Sequence, residues 1–246
     1  PRQHRSYVSL YGGHDPGVCC RNFSALTRWM LGYPDQALRS TQEALTLARE
    51  LSHPLTSAIT LYFAAFVHYN RGDRQAAADA AEAVVTLAAA KGISFWSGAA
   101  SVLLSRLLVE QGRGEEAIAQ LERELAAAMP FQWGWRYLFS LCLLAEAYGK
   151  LGQPEKGRQV LSGAMAQMKS ESSYAPELHR VRGELLLDEA AASPEAEQCF
   201  RRAIQISRAR QAKSLELRAV MSLSRLLNRQ RKREDAGRLL AATYGW

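Results

Sequence analysis

The chain has 246 residues, a net charge of +7 and 48% hydrophobic residues, which is enough apolar material to bury a core and excludes a disordered chain. Alanine and leucine outnumber β-branched residues, which favours helices over strands. No apolar run approaches the roughly 20 residues that a membrane-spanning helix needs, so we expect no membrane contact. Four cysteines without a C-x-x-C pair are typical of a reducing compartment, which predicts a cytoplasmic protein.

The first predicted helix begins within the segment YGGHDPGVCC at 11–20. Its side chains include four that could bind a metal ion, namely His14, Asp15, Cys19 and Cys20. Adjacent cysteines point about 100° apart on a helix, which is poor geometry for one metal ion. A helix start accounts for every residue, because the two glycines turn the chain, Asp15 is a good N-cap and Pro16 suits the first helical position. We therefore predict a helix start with no metal site, in which both cysteines pack as small apolar groups.

The rest of the chain alternates helical patterns with short polar turns. Prolines stand at several of the predicted helix starts, and glycines follow the first helix of four pairs, where a left-handed residue is favoured. In chain order, the predicted helices are 16–31, 34–51, 55–70, 74–91, 95–111, 115–127, 133–151, 154–169, 175–189, 194–210, 214–229 and 232–243.

Small residues recur in two independent series with a period of about 40 residues, which indicates six helix–turn–helix repeats. The series in the second helix of each pair is Ala37, Ala76, Ala117, Gly157, Ala196 and Ala236. The series in the first helix is Ala25, Ala64, Ser105, Ala145, Gly183 and Ser224. A small residue lets two helices approach closely. The stacking of successive helix pairs then buries the apolar face that one pair alone leaves exposed. The pattern predicts an all-α solenoid with one domain over 1–246 and repeats at about 15–53, 54–93, 94–130, 131–172, 173–212 and 213–246.

The repeat pattern resembles the tetratricopeptide (TPR) repeat, most clearly in LLAEAYGKLGQPEKG at 143–157, although its period exceeds the usual 34 residues. Longer segments resemble the C-terminal repeat region of bacterial class III adenylate/guanylate cyclase–ATPase regulators. These segments are YGGHDPGVCC, LGYPDQAL, ALTLARELSHP, PELHRVRGELLL and QAKSLELRAVMSLSRLL. The start at Pro1 without a methionine and the abrupt end at TYGW predict a fragment of a longer protein, and the helical pattern predicts that 1–10 is the tail of an earlier helix. The resemblance implies that a cyclase domain and a P-loop ATPase precede the repeats. The chain itself has no Walker A motif and no assignable cyclase aspartate pair.

The TPR resemblance implies that the first helix of each pair lines a concave groove that binds a protein or peptide partner. Counting from the small residues places ten side chains in this groove: Asn22, Trp29, Leu61, His68, Arg106, Glu146, Arg180, Glu184, Arg225 and Asn228. The series runs from apolar to charged, which suits a partner with an apolar part and an acidic part. The alternative is that the apolar members belong to the core and the charged members are merely solvated.

Catalysis within this chain is not expected. The five histidines are scattered over different repeats with no nucleophile–base signature, so we predict no catalytic residue, cofactor or metal. The function that we predict is protein binding, as the sensor or partner-binding arm of a cyclase–ATPase signalling protein. The alternatives are a free-standing adaptor and the TPR region of an ATPase-type transcriptional regulator.

Positive charge is concentrated at the C-terminal end. Residues 201–246 contain twelve Lys or Arg and three Asp or Glu, a net charge of +9. A solvated face or a contact with an acidic domain explains this charge better than nucleic acid does, because no nucleic-acid motif or aromatic ladder accompanies it. Nine of these twelve cations make up the basic end: Arg201, Arg202, Arg208, Arg210, Lys213, Arg229, Arg231, Lys232 and Arg233.

Overall fold

The computed structural model describes residues 8, 13–127, 134–168, 172–189 and 193–244. These residues form twelve α-helices and no strand, which confirms the predicted all-α fold of the solenoid class. The helices are α1 (Pro16–Met30), α2 (Pro34–Leu51), α3 (Pro54–Arg71), α4 (Arg74–Lys91), α5 (Ser94–Glu110), α6 (Gly114–Ala127), α7 (Trp135–Lys150), α8 (Pro154–Gln167), α9 (Ala175–Glu189), α10 (Pro194–Ala209), α11 (Lys213–Arg229) and α12 (Arg233–Tyr244). Every predicted helix is present, with ends within two residues of the prediction. The predicted earlier helix over 1–10 lies outside the described residues, apart from Val8.

Local sequence explains where these helices begin and end. Proline has no N–H to leave unpaired at a helix start, and five helices begin with one: Pro16, Pro34, Pro54, Pro154 and Pro194. The four predicted turn glycines have left-handed φ values of 91°, 84°, 79° and 71°, at Gly32, Gly72, Gly112 and Gly152. In the sixth pair Arg231 takes the corresponding position with φ 64°, so the turn forms there without a glycine.

The segment around Asp15 is a helix start, as predicted. The Asp15 side chain accepts a hydrogen bond from the Val18 N–H at 2.9 Å, and the Asp15 N–H donates to Thr56 Oγ1 of α3 at 3.1 Å. Cys19 is half-buried, but Cys20 is exposed, so the prediction that both cysteines pack in the interior is wrong for Cys20. Adjacent helical positions point in different directions, and only one of the two thiols can face the core.

Replacing Asp15 with alanine should lower the free energy of unfolding of the first repeat by about 1 kcal/mol, because the α1 N-terminus loses its buried cap. Urea denaturation followed by circular dichroism measures this loss. Asp15→Asn is the matched control, since an asparagine side chain also accepts the Val18 hydrogen bond. Equal losses in the two variants would show that the cap is not what Asp15 contributes.

The small residues do bring helices together, with one correction to the predicted series. Ala77 is buried in α4 whereas Ala76 is only half-buried, so Ala77 is the equivalent of Ala37 and Ala117. Each of these three donates its N–H to the residue four positions earlier, at the helix start. The run of alanines at 76–78 hides this register in the sequence, because any of them satisfies the pattern.

Two glycines lie where the two helices of a pair are in close contact. A β-carbon on Gly157 would lie 2.8 Å from the carbonyl oxygen of Ala145 in α7, and one on Gly183 would meet the ring of Phe200 in α10. Real β-carbons essentially never make contacts this short, so any larger residue at Gly157 or Gly183 would force its neighbour to move. They mark the places where α7 meets α8 and where α9 meets α10.

The chain divides into two compact units, unit 1 (Pro1–Leu104) and unit 2 (Ser105–Trp246), and the boundary falls within α5. Unit 1 buries aromatic side chains such as Tyr62 and Phe66, and unit 2 has a core around Phe200 and Leu223. That 1–246 forms a single domain stays a prediction. None of the helices in the described ranges is both long and apolar enough to cross a membrane.

Candidate functional site

Unit 2 contains a cavity of about 390 Å³ that is lined entirely by first helices of the repeats. The lining side chains come from the end of α5 and from α7, α9 and α11. One helix from each successive pair therefore contributes to the lining.

The sequence-predicted groove residues separate into two groups. Five of them line this cavity together, namely Arg106, Glu146, Arg180, Glu184 and Arg225. Asn228 is exposed on α11 but does not line the cavity. The partner-binding role of all six stays a prediction.

The four remaining residues lie in unit 1, and two of them are not accessible. Asn22 and Trp29 are buried, and they pack on α3 through the Asn22–Thr60 hydrogen bond and an edge-to-face contact of Trp29 with Phe66. Both side chains are therefore part of the packing between α1 and α3, and their partner-binding role stays a prediction. Leu61 is half-buried.

His68 is also half-buried, and it takes part in an ion network at the turn after α3. Its Nδ1 lies 3.3 Å from Asp73 Oδ2, and the Arg71 guanidinium bonds to both Asp73 and Asp35. The hydrogen bond from Arg71 holds the pKa of Asp73 below its ordinary value. This network joins the end of α3 to the starts of α2 and α4, so its role is structural.

The floor of the unit 2 cavity is a network of ion pairs centred on Arg180. Its Nη2 atom lies 2.7 Å from Glu177 Oε1 and 2.8 Å from Glu146 Oε1, and Arg218 bonds to the same Glu177 oxygen at 2.7 Å. Glu177 and Arg180 are only 2% and 8% exposed. The network thus ties α7, α9 and α11 together inside unit 2.

Glu184 is the second node of this network. Its Oε1 accepts hydrogen bonds from Ser222 Oγ at 2.5 Å and from Arg225 Nη2 at 2.8 Å, and Arg180 Nη1 lies 3.6 Å away. Arg225 is mostly exposed. Ser222 and Arg180 also contact the Glu184 carboxylate. Arg225 can therefore move toward an incoming anion while Glu184 keeps two partners.

The network sets the protonation of the groups around it. Burial by itself would raise the pKa of Glu177, but the charges of Arg180 and Arg218 hold the pKa of its carboxyl below the ordinary value. The nearby thiol of Cys142 is fully buried, and this burial together with the charges of Glu177 and Glu146 raises its pKa well above the ordinary value. Cys142 is therefore an inert thiol at neutral pH.

Sequence reasoning missed two members of the network, Glu177 and Arg218. The spacing of Glu177 and Arg180 was a usable signal, because residues three apart share one face of a helix. Arg218 carried no comparable signal, since its partner lies on another helix.

The cavity lining carries more cations than carboxylates. The lining carries five cations, at Arg106, Lys150, Arg180, Arg218 and Arg225, and three carboxylates, at Glu110, Glu146 and Glu184, so its net charge is +2. Arg106, Lys150 and Arg225 are all exposed. Met221, one helical turn before Arg225 on α11, is an exposed apolar side chain that does not line the cavity.

The basic C-terminal end is partly neutralised within unit 2. Arg208 and Lys213 both pair with the buried carboxylate of Glu216, and Arg201 pairs with Glu197. Four further cations of this end, at Arg229, Arg231, Lys232 and Arg233, lie around the last turn and are all exposed. In the described ranges, no three His, Cys, Asp or Glu side chains come together as a metal site would require.

The fold has counterparts among solved structures. The chain is similar to the crystal structure of a single-substitution variant of a Podosopora anserina protein described as a kinesin light chain with nearly identical TPR-like repeats, at 19% identity and a TM-score of 0.51. That match covers 79% of this chain and 96% of the other. A second crystal structure of the same kind of protein has 19% identity and a TM-score of 0.49, and covers 78% of this chain and 95% of the other. At this identity the likeness shows the TPR-like fold alone. No protein-family model matches the chain, and no curated protein matches it.

Proposed function

We propose that the chain is a protein-interaction scaffold whose unit 2 cavity binds a peptide or helix with acidic and apolar side chains. The observation that carries this proposal is the cavity lining, which comes from four successive first helices and has a net charge of +2. The lining combines the exposed cations Arg106, Lys150 and Arg225 with apolar side chains, and the exposed Met221 precedes Arg225 by one helical turn. Electrostatic complementarity of this kind selects an acidic partner and speeds its association.

The room available suits an extended segment rather than a single side chain. A second hollow of about 640 Å³ shares Val109, Glu110 and Lys150 with the cavity, so the two lie next to each other. The second hollow is lined by the turns that follow α5 and α7. A peptide lying across both would place acidic side chains toward α11.

A pair of charge reversals tests this proposal. Arg106→Glu with Arg225→Glu changes the charge of the lining from +2 to −2, so we expect an apolar, glutamate-rich fluorescent peptide to bind at least about tenfold more weakly. Fluorescence anisotropy measures the affinity, with a peptide that carries glutamine in place of glutamate as the ligand control.

The matched protein control is Arg229→Glu with Arg238→Glu, which makes the same change in total charge outside the cavity lining. This variant should bind the acidic peptide as the unmodified chain does, apart from a small long-range loss. Equal weakening by the two variants would mean that only net charge matters and would refute the cavity as the binding site.

We also propose that the scaffold is the sensor or partner-binding arm of a cyclase–ATPase signalling protein. The support is the resemblance of segments such as LGYPDQAL and PELHRVRGELLL to that family. Sequencing the gene upstream of the Pro1 codon tests it directly. A P-loop ATPase with a cyclase domain before it would support this proposal. A start codon one or two repeats upstream would instead identify a free-standing adaptor, and a DNA-binding domain a transcriptional regulator.

A further inference from the structure

Most charged side chains that line the cavity and the second hollow of unit 2 already have a partner within the chain. The ion pairs are Arg106 with Glu110, Arg180 with Glu146 and Glu177, Arg218 with Glu177, Arg225 with Glu184, and Arg113 with Glu116. The last of these pairs is held by two hydrogen bonds, at 2.9 Å and 2.7 Å. A binding partner that approaches any of these groups must therefore compete with a charge that is already in place.

Two charged side chains of this lining are different. Lys150, the last residue of α7, lines both the cavity and the second hollow, and Glu115, in the first turn of α6, lines the second hollow. Both are exposed, and neither has a hydrogen bond or an ion pair in the described part of the chain. A side chain of opposite charge therefore meets no competitor at either position.

The two hollows also differ in the sign of their charge. The cavity lining has a net charge of +2. The second hollow is lined by two cations and three carboxylates, a net charge of −1: Arg113, Lys150, Glu110, Glu115 and Glu116. The unpaired ammonium group belongs to both linings, whereas the unpaired carboxylate belongs to the second hollow alone. A segment that complements this surface therefore carries both an acidic and a basic side chain.

The two unpaired charges flank an apolar contact. Leu151 follows Lys150, and its side chain packs so closely on Gly114 that a β-carbon there would collide with it. Gly114 in turn precedes Glu115. The nearby Gly112 has nothing within 4 Å of a built β-carbon, so the turn after α5 leaves open space beside this contact. An apolar residue of a bound segment can thus lie against Leu151 with a charged residue on each side.

We propose that this surface binds a protein segment in which an acidic and a basic residue are separated by apolar residues. Lys150 pairs with the acidic residue and Glu115 pairs with the basic one. This inference rests on the proposed function, because it assigns a polarity to the peptide that unit 2 binds. Opposite charges across an interface fix the register of a partner, and unpaired charges disfavour the wrong one. A purely acidic segment would leave Glu115 without a partner, so Glu115 and Lys150 determine which acidic segments bind best.

Selection from a phage-displayed library of random peptides, with the whole chain immobilised, is the first part of the test. We expect the selected peptides to combine an acidic and a basic residue with apolar residues between them. The most enriched peptide is then labelled, and fluorescence anisotropy measures its affinity for the unmodified chain and for variants.

A double-mutant cycle identifies the residues that pair. Glu115→Gln should weaken binding of the selected peptide about two- to fivefold, the range for an exposed ion pair. The same substitution should leave unchanged the binding of a peptide with glutamine in place of its basic residue. Lys150→Gln should act in the same way on the acidic residue of the peptide.

The matched controls are Glu234→Gln and Lys232→Gln. Glu234 lies in the first turn of α12 as Glu115 does in α6, both control residues are exposed, and neither lines the cavity or the second hollow. Each control should bind the selected peptide as the unmodified chain does. Equal weakening by the controls would mean that only the net charge of unit 2 matters, and it would overturn the assigned pairs.

The outcomes separate this inference from the proposed function. Selected peptides that are acidic and apolar but carry no basic residue would overturn the pairing with Glu115 and leave the cavity as an acidic-peptide site. The same holds if Arg106→Glu with Arg225→Glu weakens binding whereas Glu115→Gln and Lys150→Gln do not. A selection that yields no binder, or only binders without an acidic residue, would contradict both.

Discussion

Replacing Arg180 with methionine is expected to lower the free energy of unfolding of unit 2 by about 3–5 kcal/mol. The substitution removes the cation that lies 2.7 Å from Glu177 and 2.8 Å from Glu146. Glu177 is 2% exposed, and only Arg218 would then offset the cost of keeping its charge out of water. Its Oε2 atom already has no hydrogen-bond partner, so no alternative donor is in place.

The loss should depend on pH in a defined direction. In the unmodified chain the pKa of Glu177 is held below its ordinary value, so its contribution to stability is complete above the ordinary glutamate pKa of about 4.3 and disappears as pH falls through the lower folded value. In Arg180→Met, burial is no longer fully offset and the pKa of Glu177 rises. The difference between the two proteins should therefore be largest near neutral pH and shrink in acid.

Urea denaturation at several pH values, read by amide hydrogen exchange in α7, α9 and α11, measures the effect in unit 2. Adding Glu177→Gln to Arg180→Met should recover part of the lost stability, because it removes the unpaired charge. Arg238→Met is the control, since its pair with Asp235 is on the surface and contributes at most about 1 kcal/mol. A loss in Arg180→Met as small as this control's would contradict the assigned role of the network.

Replacing Gly157 with alanine should destabilise unit 2 by about 1–3 kcal/mol, although alanine is the residue at the equivalent position of other repeats. The added β-carbon would stand 2.8 Å from the Ala145 carbonyl oxygen and 2.9 Å from Leu185 Cδ1. The backbone of α7 cannot move away without disturbing its own hydrogen bonds and its other contacts. The strain therefore exceeds the gain of up to about 1 kcal/mol that alanine normally brings to a helix interior.

Gly163→Ala is the matched control, because it lies in the same helix and has nothing within 4 Å of its built β-carbon. It should stabilise α8 by up to about 1 kcal/mol through helix propensity and the reduced freedom of the unfolded chain. Thermal unfolding of the two variants should thus shift in opposite directions. A stabilised Gly157→Ala variant would show that α7 and α8 are not in close contact at this point.

The sequence by itself was sufficient to predict the all-α fold class and the order of the helices along the chain. Helix starts at Pro34 or Pro154 and turns at Gly72 or Gly112 follow from the local conformational preferences of those residues, which act before any packing does. The spacing of small residues likewise predicted which positions are buried, such as Ala25 and Ala145. The exception is Ala77, since a run of alanines does not reveal which one faces the neighbouring helix.

Only the tertiary structure decided which predicted groove residues are accessible and which charges meet. Trp29 and Arg225 both lie four or fewer positions after a small residue of a first helix, yet Trp29 is buried against α3 whereas Arg225 is exposed at the cavity. Arg218 joins Glu177 from another helix, which no spacing along one helix could predict. Periodicity fixes the direction of a side chain relative to its own helix, but burial and ion pairing depend on what the neighbouring helices place opposite it.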